Sequence, residues 1–116
     1  MSENWHQVLA EADFPGEGKL AVKLGGWHVL IARTDDGLSA LNDRCTHAAS
    51  LLSGGRVRRG AVMCPLHGAR FDMVSGKCLG GGYRDLRVFP LRIIEGMIEV
   101  AIPDVQPGLE DLPLIV

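Results

Sequence analysis

Two short stretches of this sequence carry residues able to hold metal. Cys45-Thr46-His47 is a Cys-x-His pair, and Cys64-Pro65-Leu66-His67 is a Cys-x2-His pair, with sixteen residues between His47 and Cys64. Two soft thiolates and two imidazoles make a four-ligand set that suits a tetrahedral zinc or an iron–sulfur cluster. A ligand and its partner two or three residues later can face one metal centre only where the chain turns tightly. Pro65 and Gly68 are the residue types that set such a turn. Two loops giving one Cys and one His each also suit a two-iron site, with both thiolates on one iron and both imidazoles on the other.

Short strands must position these loops. Fifteen glycines and six prolines divide the chain, and no long apolar pattern has a 3.6-residue period. Short β-branched, alternating runs lie between turn signals instead. Strands are expected at Trp5–Leu9, Lys19–Leu24, Trp27–Ala32, Leu38–Leu41, Ala61–Met63, Arg70–Met73, Arg87–Phe89, Leu91–Ile94 and Met97–Ala101. Gly25-Gly26, Asp36-Gly37 and Glu95-Gly96 read as turns between them. One helical turn is expected near Leu109 to Leu112. The fold class is all-β, an antiparallel sandwich or barrel. Between about residues 43 and 83 glycines crowd together and the alternation weakens, which reads as a loop-rich subdomain inserted into a β base of residues 1–42 and 84–103. Residues 104–116 read as an extended tail on the single domain 1–116.

Composition narrows the function. At 116 residues the chain is one domain. Its 47% hydrophobic and 22% charged residues fit a globular protein. Twelve basic and fourteen acidic residues give a net charge of −2, which removes the bulk electrostatic case for nucleic-acid binding. No apolar run approaches the roughly 20 residues that span a bilayer, and no secretory signal is visible at the N-terminus. A cytoplasmic protein is expected. Three cysteines, an odd number, fit metal or redox use better than a disulfide framework.

The double motif, with Gly54-Gly55 before its second half and Phe71, Asp72 and Ser75-Gly76-Lys77 after it, resembles the Rieske [2Fe–2S] family over about Leu38 to Gly82. The resemblance implies one [2Fe–2S] cluster per chain, with Cys45 and Cys64 on the inner iron and His47 and His67 on the outer one. Two ferric ions, two sulfides and two thiolates sum to zero charge. Adding an electron is therefore easier than with four thiolates, and Rieske potentials lie at roughly −150 to +300 mV. Loss of an imidazole proton from the oxidised state implies a potential that falls at alkaline pH.

Departures from the respiratory branch of that family are informative. An extra cysteine in each cluster loop forms a disulfide there; Ser50 and Leu66 stand at the matching positions here. The serine and tyrosine hydroxyls near the cluster are matched by Ala69 and Phe71, which donate nothing. A low potential within the range is expected. The sequence thus looks like the soluble Rieske-type ferredoxins of ring-hydroxylating oxygenase systems. The resemblance implies a monomeric electron carrier, without a catalytic site, that takes an electron from a flavin-dependent reductase and passes it to an oxygenase. Thr46, Ala48, Pro65 and Leu66 would form the docking tip. Two other readings stand: the small Rieske-like subunit of an assimilatory nitrite reductase, and a zinc-stapled interaction module.

The remaining candidates read more plainly. Cys78 has no His close behind it and reads as a spare thiol. His6 and His28 lie in strand-like runs, and Asp35-Asp36 before Gly37 reads as a turn. Arg56, Arg58 and Arg59 read as a solvated basic turn, with a partner-docking patch as the alternative. Gly80-Gly81-Gly82 lacks the lysine and helix of a phosphate loop. It replaces a proline-bearing loop that covers the cluster in the family, which implies looser cover here.

Overall fold

A computed structural model describes residues 3–16, 18–35, 37–44, 51–65, 69–80, 84–103 and 105. It is built from β1 (Glu3–Ala10), β2 (Lys19–Leu24), β3 (Trp27–Thr34), β4 (Gly37–Asn42), β5 (Arg56–Arg58), β6 (Ala61–Met63), β7 (Arg70–Asp72), β8 (Cys78–Gly80), β9 (Val88–Phe89), β10 (Leu91–Ile94) and β11 (Met97–Pro103). Two 3-10 turns lie at Glu11–Asp13 and Leu52–Gly54. The strands form three sheets, ordered β1-β11-β10, β2-β3-β4-β9 and β5-β6-β7-β8. Every pairing is antiparallel. The all-β expectation therefore holds. No helix among the described residues is long and apolar enough to cross a membrane.

Local chemistry explains the hairpins. Gly25-Gly26, Arg59-Gly60 and Glu95-Gly96 each have positive φ at both residues, as the twist-matching type I′ turn requires. The chain changes sheets at Pro90, between β9 and β10. Proline has no N–H to donate, and its carbonyl accepts from Ala101 N–H at 2.9 Å.

The run Val29-Leu30-Ile31-Ala32 is buried on both faces of β3, as its unbroken apolar character dictates. Val29 and Ile31 enter a core with Phe14, Trp27, Ala40, Phe89, Ile98, Val100 and Ile102. Leu30 and Ala32 enter a second core with Leu41, Leu52, Val62, Cys64, Phe71, Met73 and Leu86. One strand thus walls the base and the region of the Cys64 motif at once. In the base, the Trp27 ring stands edge-on to Phe89 with centroids 5.5 Å apart. The Arg87 guanidinium lies over the same ring, 5.0 Å from its centroid. The indole Nε1–H donates to the Val105 carbonyl at 3.1 Å.

The region read as loop-rich contains a four-stranded sheet. Arg56–Arg58, taken from sequence as part of a solvated turn, is strand β5, and the turn itself is Arg59-Gly60. Alternation explains the difference. Val57, Val62, Phe71 and Cys78 pair across the four strands and pack against the second core. The arginines flanking Val57 point outward, and three residues are too few for the period of two to stand out. Strand β8 was hidden by glycine in the same way. The expected helical turn at Leu109 to Leu112 lies outside the described residues.

Candidate metal centre

The two halves of the Cys/His motif leave adjacent parts of the fold. The first departs from the end of β4, through Asn42 and Asp43, both buried. The second is the connection between β6 and β7. Met63 pairs with Arg70, and Cys64 N–H donates to the Ala69 carbonyl at 2.7 Å. This closes the hairpin at its neck and leaves residues 65–68 as the connection. Cys64 is 1% exposed and sits among Leu52, Val62, Ala69 and Phe71. Cys45, His47, His67 and the tip residues Thr46, Ala48 and Leu66 lie outside the described residues, as do Ser50, Gly68, Gly81 and Gly82. The sequence between the two motifs brings their bases together, and four contacts do this.

Asp43 Oδ1 accepts from Ser53 N–H at 2.6 Å, so the chain two residues before Cys45 is tied to the 3-10 turn at Leu52–Gly54. Gly54 faces Pro65, whose Cγ lies 3.8 Å from where a Cβ would stand. At Gly55 a Cβ would fall 1.8 Å from the Met63 carbonyl oxygen, a distance no side chain survives. Only glycine lets this segment lie against the residue that precedes Cys64. Finally, Lys19 Nζ on β2 donates to the carbonyls of Ser53, at 2.8 Å, and Gly55. An ammonium from the base thus satisfies the outward carbonyls of a tight turn, charge-assisted bonds worth more than neutral ones.

Burial pushes the Asp43 carboxyl up from its ordinary range, opposed by the hydrogen bonds from Ser53 and by His28. The His28 imidazole is held down by its own burial, then by Arg44 and Lys23, with Asp43 pulling the other way. His28 also accepts at its backbone carbonyl from Asp43 N–H at 2.8 Å, which joins the exit of β4 to β3.

The turn after β7 braces the other side. Asp72 Oδ2 accepts from Val74 N–H at 3.1 Å, Ser75 N–H at 2.8 Å and Ser75 Oγ–H at 2.9 Å. These bonds, the one from Ser75 N–H foremost, hold the carboxyl below its usual range. Gly76 follows at φ +75, where a Cβ would stand 2.3 Å from the Leu86 carbonyl oxygen. Leu86 N–H donates back to the Gly76 carbonyl at 2.7 Å, and its side chain enters the core beside Cys64. The motif residues Asp72 and Ser75-Gly76-Lys77 therefore seat the returning chain against the core that holds Cys64. Asp43 and Lys19 were not singled out from sequence. No spacing rule marks them, since each acts on backbone atoms remote in the chain.

A strand-built hairpin presents Cys64 and is braced by Gly54-Gly55 and the Asp72 turn, in an antiparallel β domain. Residues 4–90 match the Rieske [2Fe-2S] domain, and the chain belongs to that family. It is 36% identical over 98 residues to the anthranilate 1,2-dioxygenase ferredoxin subunit of Burkholderia cepacia, covering 83% of this chain and 90% of that protein. It is 30% identical over 94 residues to the ferredoxin component of the naphthalene 1,2-dioxygenase/salicylate 5-hydroxylase systems of a Ralstonia species, covering 80% and 90%. Among solved structures, it is similar to a chain in the complex of reduced oxygenase and oxidized ferredoxin in carbazole 1,9a-dioxygenase. The TM-score there is 0.75 at 28% identity, over 82% of this chain and 99% of the other. It is also similar to the putative NADH-dependent nitrite reductase small subunit from Mycobacterium tuberculosis, with a TM-score of 0.76 at 27% identity over 89% and 98%.

Proposed function

We propose that this chain is a Rieske ferredoxin that carries one electron at a time from a flavin-dependent reductase to an aromatic-ring-hydroxylating oxygenase. The observation that carries the reading is the full Cys45, His47, Cys64 and His67 set in a chain that matches two ferredoxin components over nine-tenths of their length. The donor chemistry fits a [2Fe–2S] cluster: two thiolates for the inner iron, from Cys45 and Cys64, and two neutral imidazoles for the outer, from His47 and His67. The bound cluster supplies a one-electron ferric/ferrous couple. The chain's own part is to hold the ligands and keep water from the thiolate side. Buried Cys64, under Leu52, Val62 and Phe71, fits the inner position. Ala69 and Phe71 are both buried and offer no hydroxyl, which supports a low potential. The ferredoxin–oxygenase complex of the carbazole system supports an oxygenase as partner, and the tip at Thr46, Ala48, Pro65 and Leu66, next to the ligands in sequence, is its proposed docking surface. The protein works as a cytoplasmic monomer without a catalytic site of its own.

Anaerobic purification, iron and sulfide assay, a visible spectrum and low-temperature EPR after reduction test the cluster. A red-brown protein with two irons and two sulfides per chain and the low average g-value of a His-ligated cluster is expected. His47→Cys or Cys64→Ser should remove or remodel that signal; a native spectrum in both variants would falsify the ligand set. A colourless protein with one zinc would leave only a structural staple. The likeness to a nitrite reductase small subunit favours a second reading, in which the chain co-purifies with a large catalytic subunit. Pull-down from the native cell distinguishes the two.

A further inference from the structure

The outward face of the β5–β8 sheet gathers four guanidinium groups. Arg56 and Arg70 flank Met63 in one cross-strand row, and Arg58 opposes Ala61 in the next. Arg59 turns the hairpin at the end of that row. All four arginines are exposed. Together with Met63 and Leu79 they line a concavity of about 530 Å³. Met63 is 43% and Leu79 48% exposed, so the floor is apolar and the walls are cationic. Among the described residues no carboxylate forms an ion pair with any of the four. Asp72, the carboxylate in these rows, spends one oxygen on the turn at Val74 and Ser75. Four like charges against the single row carboxylate of Asp72, with Asp35 near Arg59 at the hairpin end, leave an excess of positive charge here, and the chain as a whole is acidic at −2. The face is therefore a local positive pole on a negative molecule. It also adjoins the metal centre, since Met63 and Arg70 immediately flank the Cys64–Ala69 neck.

We propose that this face docks an acidic patch of a redox-partner protein, carboxylates on the arginines and an apolar side chain over Met63 and Leu79. The partner's being a redox protein rests on the electron-carrier reading. Arginine and methionine around an apolar centre are the composition of protein interfaces. An extended polyanion would also meet the chain's fourteen acidic residues, whereas a folded partner presents its charge to one pole only. A dipole of this kind orients the encounter and raises the association rate, and salt removes the gain. The arginines set orientation and speed, and the electron leaves through the adjoining tip.

Stopped-flow oxidation of the dithionite-reduced, cluster-loaded protein by the terminal oxygenase of carbazole 1,9a-dioxygenase reads this directly. The variants are Arg56→Gln/Arg70→Gln, Arg58→Gln/Arg59→Gln and, as a control for loss of any cation, the exposed Lys23→Gln on β2. With rising salt the wild-type rate should fall about tenfold, and each arginine pair should slow transfer roughly fivefold at low salt and flatten the salt dependence, leaving the control unchanged. Arginine variants that follow the wild type at every salt concentration overturn the docking face while the carrier reading stands. No transfer at all from the loaded, reduced wild type shows that this oxygenase is not its acceptor and leaves the carrier reading to the EPR measurement. The face is then decided by amide shifts on adding the peptide acetyl-Glu-Leu-Glu-Glu-Leu-Glu-amide. Shifts confined to β5, β6, Arg70 and Leu79 and lost in Arg56→Gln/Arg70→Gln sustain it. Equal shifts with inorganic phosphate, or preferential binding of duplex DNA or phosphatidylglycerol vesicles, overturn it.

Discussion

Asp43 and Ser53 are joined at 2.6 Å, side-chain carboxylate to backbone N–H, and Lys19 closes the same turn from the opposite side through the Ser53 and Gly55 carbonyls. A buried N–H left without its acceptor costs about 1–3 kcal/mol. Asp43→Ala should therefore lose roughly that stability in chemical denaturation, while Asp43→Asn, which keeps an acceptor oxygen, should lose less. Because both side chains restrain one turn, Asp43→Ala and Lys19→Met should be non-additive in a double-mutant cycle, by roughly 0.5 kcal/mol or more. Strict additivity would mean the two restraints are independent. Iron content per chain should fall in the double variant.

Gly76 and Gly96 both have positive φ, +75 and +80, but only Gly76 faces an obstruction, the Leu86 carbonyl. Gly96→Ala should cost only the left-handed penalty, about 1–2 kcal/mol. Gly76→Ala should cost clearly more, because the Leu86 backbone must also move. Urea titrations of the two variants separate conformation from collision; equal losses would show that the strand return at Leu86 yields freely.

Acid should weaken the fold in two steps. His28 is lowered from 6.5 by burial, then Arg44 and Lys23, so the folded state disfavours its protonation. Its contribution is full above the unfolded pKa of about 6.5 and is lost as pH falls through the folded value. Asp72 is lowered from 3.8, chiefly by the Ser75 N–H bond, so its contribution is present above about pH 4 and lost below it. His28→Gln should flatten the stability profile just below pH 6.5, and Asp72→Asn should flatten it below pH 4. Profiles parallel to the wild type in both windows would remove both groups from the acid response.

In the proposed cluster reading, Ala69 and Phe71 take the positions of hydroxyl donors that would raise the potential. Ala69→Ser should shift the midpoint upward within the roughly −150 to +300 mV Rieske range, with the visible spectrum retained. Protein-film voltammetry measures it. An unchanged midpoint in a loaded variant would mean that the added hydroxyl does not reach a cluster sulfur.

Much of this was legible in the sequence where residue types act locally. Lys19–Leu24, Ala61–Met63 and Leu91–Ile94 match their expected bounds, and the turns at Gly25-Gly26 and Glu95-Gly96 fall where glycine permits positive φ. Strand β5 was not legible, because a lone Val57 between arginines carries no periodic signal. The grip of Lys19 on a turn 34 residues away was hidden for a different reason: its acceptors are carbonyls, which every residue has. The packing need at Gly55 was visible only as a doubled glycine, and the colliding Met63 oxygen supplies its cause.

Strand β3 gives alternate side chains to two cores, so neither has a boundary of its own. A cassette cut from the β5–β8 sheet and grafted onto another scaffold would arrive with Val62 and Phe71 facing the void that Leu30 and Ala32 fill here. Heating should likewise melt the metal-binding region and the base in a single step. An engineer wishing to borrow this electron port would have to transplant the wall along with it.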